Sequence, residues 1–454
     1  MSSVLLERNA ERIDSPAREI ALLTISAPAA GFTRFLAAPA ELFGRDGDAL
    51  LWAPPAGDAD AWTFAGRGVA GRVVSSGPDR VSQIRAGAMR LLASIRSAPG
   101  ETDPPLRLFG GFSFRDGEED PGAWSAFGEA SFVLPRFLYA ERAGRAWLRA
   151  AIPLDEPDAL ALAIPVLYRL RAFLAAQAAP SHAASITSTE ELARPEWDRR
   201  VARALDAMRG PLDKVVLARR TRVVLSGAPD IAALAASLPA RGATRFALSR
   251  GDVLFAGATP ERLVSLHGGR LRCDALGGSL PRGLESDADA EAASLRSSAK
   301  DGREHASVVE GIRGALAPLA SSLATEGPGV RTLATVHHLH TEVTGVARGG
   351  VDVLALVDAL HPTPAVCGTP RAAAREWIAA NEGAPRGWYA GPVGWMDASG
   401  EGSFCVALRC ALLQGSEAWL YAGAGLVEGS DAAAEWRETS AKQAPMLRAL
   451  GGTP

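Results

Sequence analysis

The sequence predicts an α+β fold, and three observations carry that reading. Short β-like runs and helical stretches are intermingled along the whole chain. The β-like runs are bounded by Gly, Pro and Asp, and they follow one another mainly through hairpins and short helices rather than regular βαβ units. The glycine-rich turn GAGLVEG lacks GxGxxG spacing and the strand–helix–acid surroundings of a dinucleotide site, so a parallel doubly wound sheet does not fit.

The first portion, to about residue 180, holds the strand candidates EIALLTIS, ALLWAPP, WTFAGRGVAGRVV, LRLFGGFSF, SFVLPRFLYA and RAWLRAAIPL. Two segments, VSQIRAGAMRLLASIRS and DALALAIPVLYRLRAFLAAQ, repeat apolar residues at helical spacing. Gly110 and Gly111 within LFGGFSF predict close backbone packing or a bulge in a core strand, with no chemistry assigned. The small, polar run from Pro180 to Pro195 predicts a linker. It divides the chain into an N-terminal α+β subdomain, 1–190, and a catalytic subdomain, 191–454. Beyond it a helix, Trp197 to Met208, leads to the strand DKVVLARRTRVVLSG, which starts at Lys214. The helix DIAALAASLPAR then precedes a long β region, TRFALSR, DVLFAGATPERLVSLHGG and RLRCDALGGSLPRG. A charged helical segment, residues 287–319, comes next, followed by the β-rich TLATVHHLHTEVTGVA, the helices VDVLALVDALHP and AAAREWIAANEG, and strands in GWYAGPVGWMD and GSFCVALRCALL.

With 454 residues and 47% hydrophobic content the chain can bury a large core. A formal net charge of -3 with interspersed signs offers neither a basic stripe for nucleic acid nor a polybasic patch for a membrane. MSSVLLERNAERIDS is neither a signal peptide nor an anchor, and a cytoplasmic location follows. Cys273, Cys367, Cys405 and Cys410 have no CxxC spacing and are expected to be buried thiols.

The stretch from Tyr421 to Leu450 bears the densest polar pattern, a glycine-rich turn feeding a helix that Ser430 or Asp431 can cap. Glu435, Glu438 and Lys442 fall at i, i+3 and i+7, so two carboxylates and an ammonium share a face. Pro445 lies three residues on and threatens to bend or end the helix where that lysine must be aimed. Taken singly, the other landmarks read as ordinary: Lys214 as a surface lysine, Glu261 as a turn cap, Glu304 as helix decoration and His338 as a core histidine.

Their order is more specific. DKVVLARR, FAGATPERLV, DALGGSLPRG, AKDGREH, TVHHLHTEV, LHPTPAVCGTPR, GWYAGPVGW, VALRC, YAGAGLVEG and EWRETSAK, all in one direction, resemble the chorismate-utilising enzymes, and among them the isochorismate synthases. The resemblance is dense from Glu196 to Leu450, with LFGGFSF as a weaker echo. It implies the chorismate-binding, anthranilate synthase component I-like fold of layered antiparallel sheets with outer helices. It also implies one active site, a magnesium ion and the isomerase reaction of chorismate to isochorismate.

By that resemblance Lys214 is the general base that activates water for attack at C2, and Glu261 the general acid that protonates the departing C4 hydroxyl. A free lysine with a pKa of ~10.4 is a poor base near neutrality and a carboxyl must be raised to ~6–7 to arrive protonated, so the two belong in contrasting environments. Glu304 and Glu438 match metal-binding glutamates, with Glu435 and Asp301 acting through water or behind them. Tyr389, Arg409, Lys442 and the backbone at Gly423 match groups that hold the pyruvyl carboxylate, while Gly278, Ser279 and His338 match further pocket positions. Strand alternation leaves Arg409 either aimed into the site or facing solvent.

The sister activities separate on two residues. Members that aminate chorismate usually lack a lysine at the position of Lys214 and take ammonia from an amidotransferase, so no such partner is expected here and the chain is expected to be a monomer. Salicylate synthases, which go on to eliminate pyruvate, typically carry threonine at the position of Ala365, so Ala365 favours stopping at isochorismate. The runner-up activity is salicylate synthesis. A silent chorismate-binding regulator would require loss of the base, the acid or a metal carboxylate. The pathway beyond, menaquinone or siderophore, is not written in these residues, although LFGGFSF leans towards the menaquinone type.

Overall fold

The computed structural model describes residues 19–43, 47–55, 57–58, 62–96, 104–118, 122–176, 184–282 and 287–452. The N-terminal MSSVLLERNAERIDS and the first residues of the expected linker lie outside them.

Two long antiparallel sheets share a pair of strands, Thr63–Ser75 and Ala130–Arg142. From this pair the first sheet continues through Ala49–Ala53, Thr244–Arg250, Val253–Thr259, Cys410–Gln414 and Glu417–Leu426 to Lys214–Leu225. The second continues through Leu108–Phe112, Pro392–Met396, Gly402–Val406, Arg262–His267, Arg270–Pro281 and Val336–Ala347 to Ala320–Thr332. The short Ile20–Ile95 pairing is parallel. This is the α+β layering expected from the sequence.

Gly110 and Gly111 permit the contact between the shared strands and the second sheet. A Cβ on Gly110 would lie 2.0 Å from the Ser131 carbonyl oxygen, and one on Gly111 would lie 2.4 Å from that of Pro392.

One core cluster joins residues of both sheets to helices Ala299–Leu316 and Val353–Leu360. Aromatic rings line it in sequence, with Phe246, Phe255, Phe127 and Trp388 at successive centroid spacings of 5.3, 6.2 and 5.3 Å. A second cluster packs helices Phe32–Leu36, Ala159–Ala175 and Ile231–Ser237 against the first sheet. Ala159–Ala175 buries Ala163, Leu167, Leu170 and Leu174 and exposes Leu160, Ile164 and Tyr168. No helix among the described residues is long and apolar enough to cross a membrane. All four cysteines are free and buried, as their spacing predicts.

Three expectations change. The described part of the linker is not free chain: Ile186–Glu190 adds a strand to the edge of Lys214–Leu225, where its Ser and Thr side chains suit an exposed edge. The portions 1–190 and 191–454 also share both sheets, through the Ala49–Ala53 pairing with Thr244–Arg250 and the Leu108–Phe112 pairing with Pro392–Met396. The charged helix 287–319 is two helices, Ala288–Ser297 and Ala299–Leu316, because Ser298 leaves helical geometry and caps the second through Asp301 N–H.

Candidate active site

Two of the passages from one sheet to the other each deliver a polar side chain to the same place. Pro260 and Glu261 link Val253–Thr259 of the first sheet to Arg262–His267 of the second. Residues 407–409 lead back from Gly402–Val406 to Cys410–Gln414. The crossings are stitched together: Val406 N donates to Glu261 O at 3.1 Å, and Thr259 Oγ1 donates to Val406 O at 2.6 Å. Between them opens a cavity lined wholly by residues from Val216 to Lys442.

Arg409 is held in the left-handed region, φ 49°, at the second crossing. The β-like run read across VALRCALL is therefore broken at 407–409, and strand alternation does not govern Arg409. Its guanidinium lines the cavity, its Nη2 donates to His338 Nε2 at 3.1 Å, and its Nη1 has no protein partner among the described residues. Burial pushes the group down to about 10, so it stays charged at neutral pH. An arginine can only donate, so His338 accepts at Nε2 and carries its proton on Nδ1, 2.9 Å from Ser279 Oγ. Burial, with Arg409 beside it, holds His338 neutral.

Ser279 reaches His338 because Gly278 forms a bulge in strand Arg270–Pro281 at φ 68°, where a Cβ would lie 2.8 Å from Asp301 Cβ. Asp301 itself accepts from the Ser298 hydroxyl at the helix start, behind Gly278. Ala365 and Tyr389 complete the apolar side of the cavity, where Tyr389 stacks on Tyr421 with centroids 5.1 Å apart.

Glu304 forms one wall, with Lys214 paired to it. Lys214 is 3% exposed and its Nζ lies 2.9 Å from Glu304 Oε1. Burial works to raise Glu304, but the charge and hydrogen bond of Lys214 prevail and hold it below the ordinary glutamate value. The pair depends on Gly425, on which a Cβ would stand 2.6 Å from Glu304 Oε1 and 3.1 Å from Lys214 Cε. Glu261, 4% exposed, forms the opposite environment. Burial, and next the charge of Asp274, push its carboxyl up to about 8.

The C-terminal helix, Ala432–Ala449, is capped by Asp431, which accepts from Ala434 N–H at 2.8 Å, while Ser430 Oγ accepts from Val427 N–H. It continues through Pro445. The carbonyl of Ala441, which loses its helical donor to that proline, accepts from Thr335 Oγ1 at 2.9 Å. Lys442 is thereby aimed into the cavity, bound to Gly423 O at 2.9 Å and to Glu438 at 2.5 Å. Glu438 lines the cavity; Glu435 does not, and pairs at 3.5 Å with Lys300. Burial, and then Glu438, push Glu435 up to about 7.

Glu304, Glu438 and Glu435 do not converge: no group of three or more candidate metal ligands occurs among the described residues. The donor set still suits magnesium, which is commonly held by one or two carboxylates with water and the ligand's own anion. Glu304 and Glu438 both face the cavity, and Glu438 and Glu435 form an acidic pair that a divalent cation would relieve.

Every site residue singled out from the sequence except Lys214, Glu435 and Asp301 lines this one cavity, and Lys214 meets it through Glu304. Sequence reasoning missed Gly425 and Tyr421. Gly425 had a signal, since it stands two residues from Gly423 on one strand and so shares its face.

A family profile described as "Chorismate binding enzyme" matches residues 12–451. The chain belongs to the chorismate-binding enzyme family. It is 37% identical over 430 residues, 91% of this chain and 88% of the relative, to the salicylate biosynthesis isochorismate synthase of Pseudomonas aeruginosa. It is 35% identical over 357 residues, 76% of this chain and 74% of the relative, to the isochorismate synthase MenF of Bacillus subtilis. The menaquinone-specific isochorismate synthase of Escherichia coli superposes with a TM-score of 0.78 at 28% identity, covering 98% of both chains. Anthranilate synthase component I of Streptococcus pneumoniae shares the fold, with a TM-score of 0.67 at 19% identity over 99% of this chain and 98% of that one.

Proposed function

We propose that this protein is an isochorismate synthase, an isomerase that adds water at C2 of chorismate and expels the C4 hydroxyl. The observation that carries the reading is the opposed pair of buried groups, Lys214 bound to a carboxylate and Glu261 raised to about 8, on one cavity. Its relatives' names point the same way.

Lys214 Nζ takes a proton from water as the oxygen bonds to C2. The ring double bonds shift, the C4–O bond breaks, and Glu261 gives its proton to the departing hydroxyl. One water enters and one leaves, and a proton returns from Lys214 to Glu261 through solvent to close the cycle. Arg409, with Nη1 free, and Lys442 receive the pyruvyl carboxylate, while Tyr389 and Gly423 shape its berth. Gly278, Ser279 and His338 form the facing wall, and the neutral His338 keeps Arg409 in place.

Glu304 and Glu438 are the residues that would hold Mg2+, with Glu435 and Asp301 behind them. Held there, the ion would supply positive charge for the ring carboxylate. The portion 191–454 carries the chemistry and 1–190 buttresses it through the shared sheets. Water as nucleophile requires no amidotransferase. A monomer in the cytoplasm, where four buried thiols stay reduced, fits this work.

The test is incubation of purified protein with chorismate, with and without Mg2+, and separation of products by chromatography. Isochorismate without salicylate, only when Mg2+ is present, is expected. Salicylate with pyruvate would assign the salicylate synthase reaction, and absence of turnover would leave a chorismate binder.

A further inference from the structure

Next to Glu261 lies a charged cluster that does not line the cavity and that the mechanism above does not use. Asp274 of strand Arg270–Pro281 is 5% exposed. Arg331 of strand Ala320–Thr332 binds it twice, Nη1 to Oδ2 at 3.0 Å and Nη2 to Oδ1 at 3.1 Å. His340 of strand Val336–Ala347 places Nε2 2.9 Å from Asp274 Oδ1 and 2.8 Å from Arg331 Nη2.

The same two charges grip the backbone on both sides of Glu261. Arg331 Nη1 donates to the carbonyl of Pro260 at 2.6 Å, and the N–H of Arg262 donates to Asp274 Oδ2 at 3.2 Å. We propose that Asp274, Arg331 and His340 form a clamp of positioning residues that fixes the Glu261 peptide and, through the Asp274 carboxylate, keeps Glu261 in its acid form. The inference rests on the reading of Glu261 as the proton donor.

The charges around Glu261 come from every neighbouring element. They are Asp274, Arg331, Lys442 of the C-terminal helix, Lys214 at the start of its strand and Arg409 at the second crossing, with the neutral thiol of Cys405 at the end of Gly402–Val406. Asp274 is the anion of this set, and it is itself held ionised against burial by His340 and Arg331. Four cations therefore pull Glu261 towards its charged form, and burial together with Asp274 opposes them.

Opposite substitutions in the clamp have opposite consequences. Asp274→Asn removes the anion at nearly unchanged volume; the amide oxygen can still accept from Arg331 Nη1 and Arg262 N–H, while the amide nitrogen faces His340 Nε2 and gives up the second Arg331 bond. Glu261 then loses its proton at a pH lower by about one unit. Arg331→Met leaves Asp274 with less compensation, so Glu261 moves upward, and Arg331→Lys returns it towards the wild-type value.

The experiment titrates the glutamate carboxyl carbons of 13C-labelled full-length protein by NMR, with the Glu261 signal identified by its loss in Glu261→Gln. The high-pH limb of isochorismate formation is followed in parallel. Titration points that move down in Asp274→Asn and up in Arg331→Met, with the activity limb following, are expected. A Glu261 signal unmoved by Asp274→Asn, or moved the same way by both, overturns the clamp. Full turnover by Glu261→Gln would instead remove the acid role while the carboxyl titration still decides the clamp. Thermal melts of each variant identify any that fail to fold, and for those the lysine variant of Arg331 supplies the comparison.

Discussion

Lys214 and Glu261 are almost equally hidden from solvent, at 3% and 4% exposure, yet the fold treats them in opposite ways. Lys214 sits on a regular strand and is given a carboxylate 2.9 Å away. Glu261 sits on a two-residue crossing between sheets and is given burial and a neighbouring anion. Burial alone does not fix a titration state. It magnifies whatever partner the neighbouring elements supply.

The contrast breaks most completely at the lysine. Lys214→Ala removes the proposed base and leaves Glu304 without its partner, and isochorismate formation should fall by ~10³-fold or more. Steady-state rates measured by product chromatography check this, and retention of full activity would refute the assignment. Glu261→Gln should cost ~10²–10³-fold in the same assay.

That second variant also carries a stability signature. A carboxyl whose folded pKa is raised binds its proton more tightly in the native state. The native protein therefore holds more protons than the unfolded chain between roughly pH 4.5 and about 8, and stability falls as pH rises through that window. Glu261→Gln removes the penalty. Thermal melts at pH 8 and above should show it more stable than wild type, by on the order of a few kcal/mol, with the difference vanishing near pH 4.5. An equal difference at all pH values would contradict the raised carboxyl.

A smaller effect sharpens the lysine side. Gly425→Ala drives a methyl to 2.6 Å from Glu304 Oε1. The Lys214–Glu304 pair must move, and kcat should drop by ~10-fold, with a higher Mg2+ requirement in a titration of the rate. An unchanged Mg2+ titration would separate Glu304 from the metal. Smallest of all, wild-type activity should decline as pH rises through about 8, where Glu261 ionises, and Glu261→Gln should lose that limb.

The sequence made much of this legible. Regular elements followed from period and turn chemistry, so Lys214–Leu225 and Ala432–Ala449 were anticipated nearly in full. The ordered motifs brought distant residues to one site before any geometry was known. What escaped was set by tertiary partners. Strand Ala320–Thr332 reads as small, polar and glycine-bearing, and it exists because it pairs with Val336–Ala347. Arg331, which reaches the Pro260 carbonyl beside Glu261 from that strand, was invisible for the same reason. The conformation of Arg409 depends on a crossing between sheets, which no local periodicity encodes. Pro445 looked like a helix stop, and the hydroxyl of Thr335, 110 residues earlier in the chain, supplies the Ala441 carbonyl with a donor in place of the one the proline lacks.

The central claim is that water activated at Lys214 enters at C2 while a different oxygen leaves C4 beside Glu261. Turnover of chorismate in 18O-labelled water, followed by mass spectrometry of the isochorismate, tests it most directly. The account predicts one heavy oxygen per newly formed isochorismate, located on C2. Isochorismate formed without label would mean that the original hydroxyl migrates, and neither Lys214 as base nor the division between the two walls would stand.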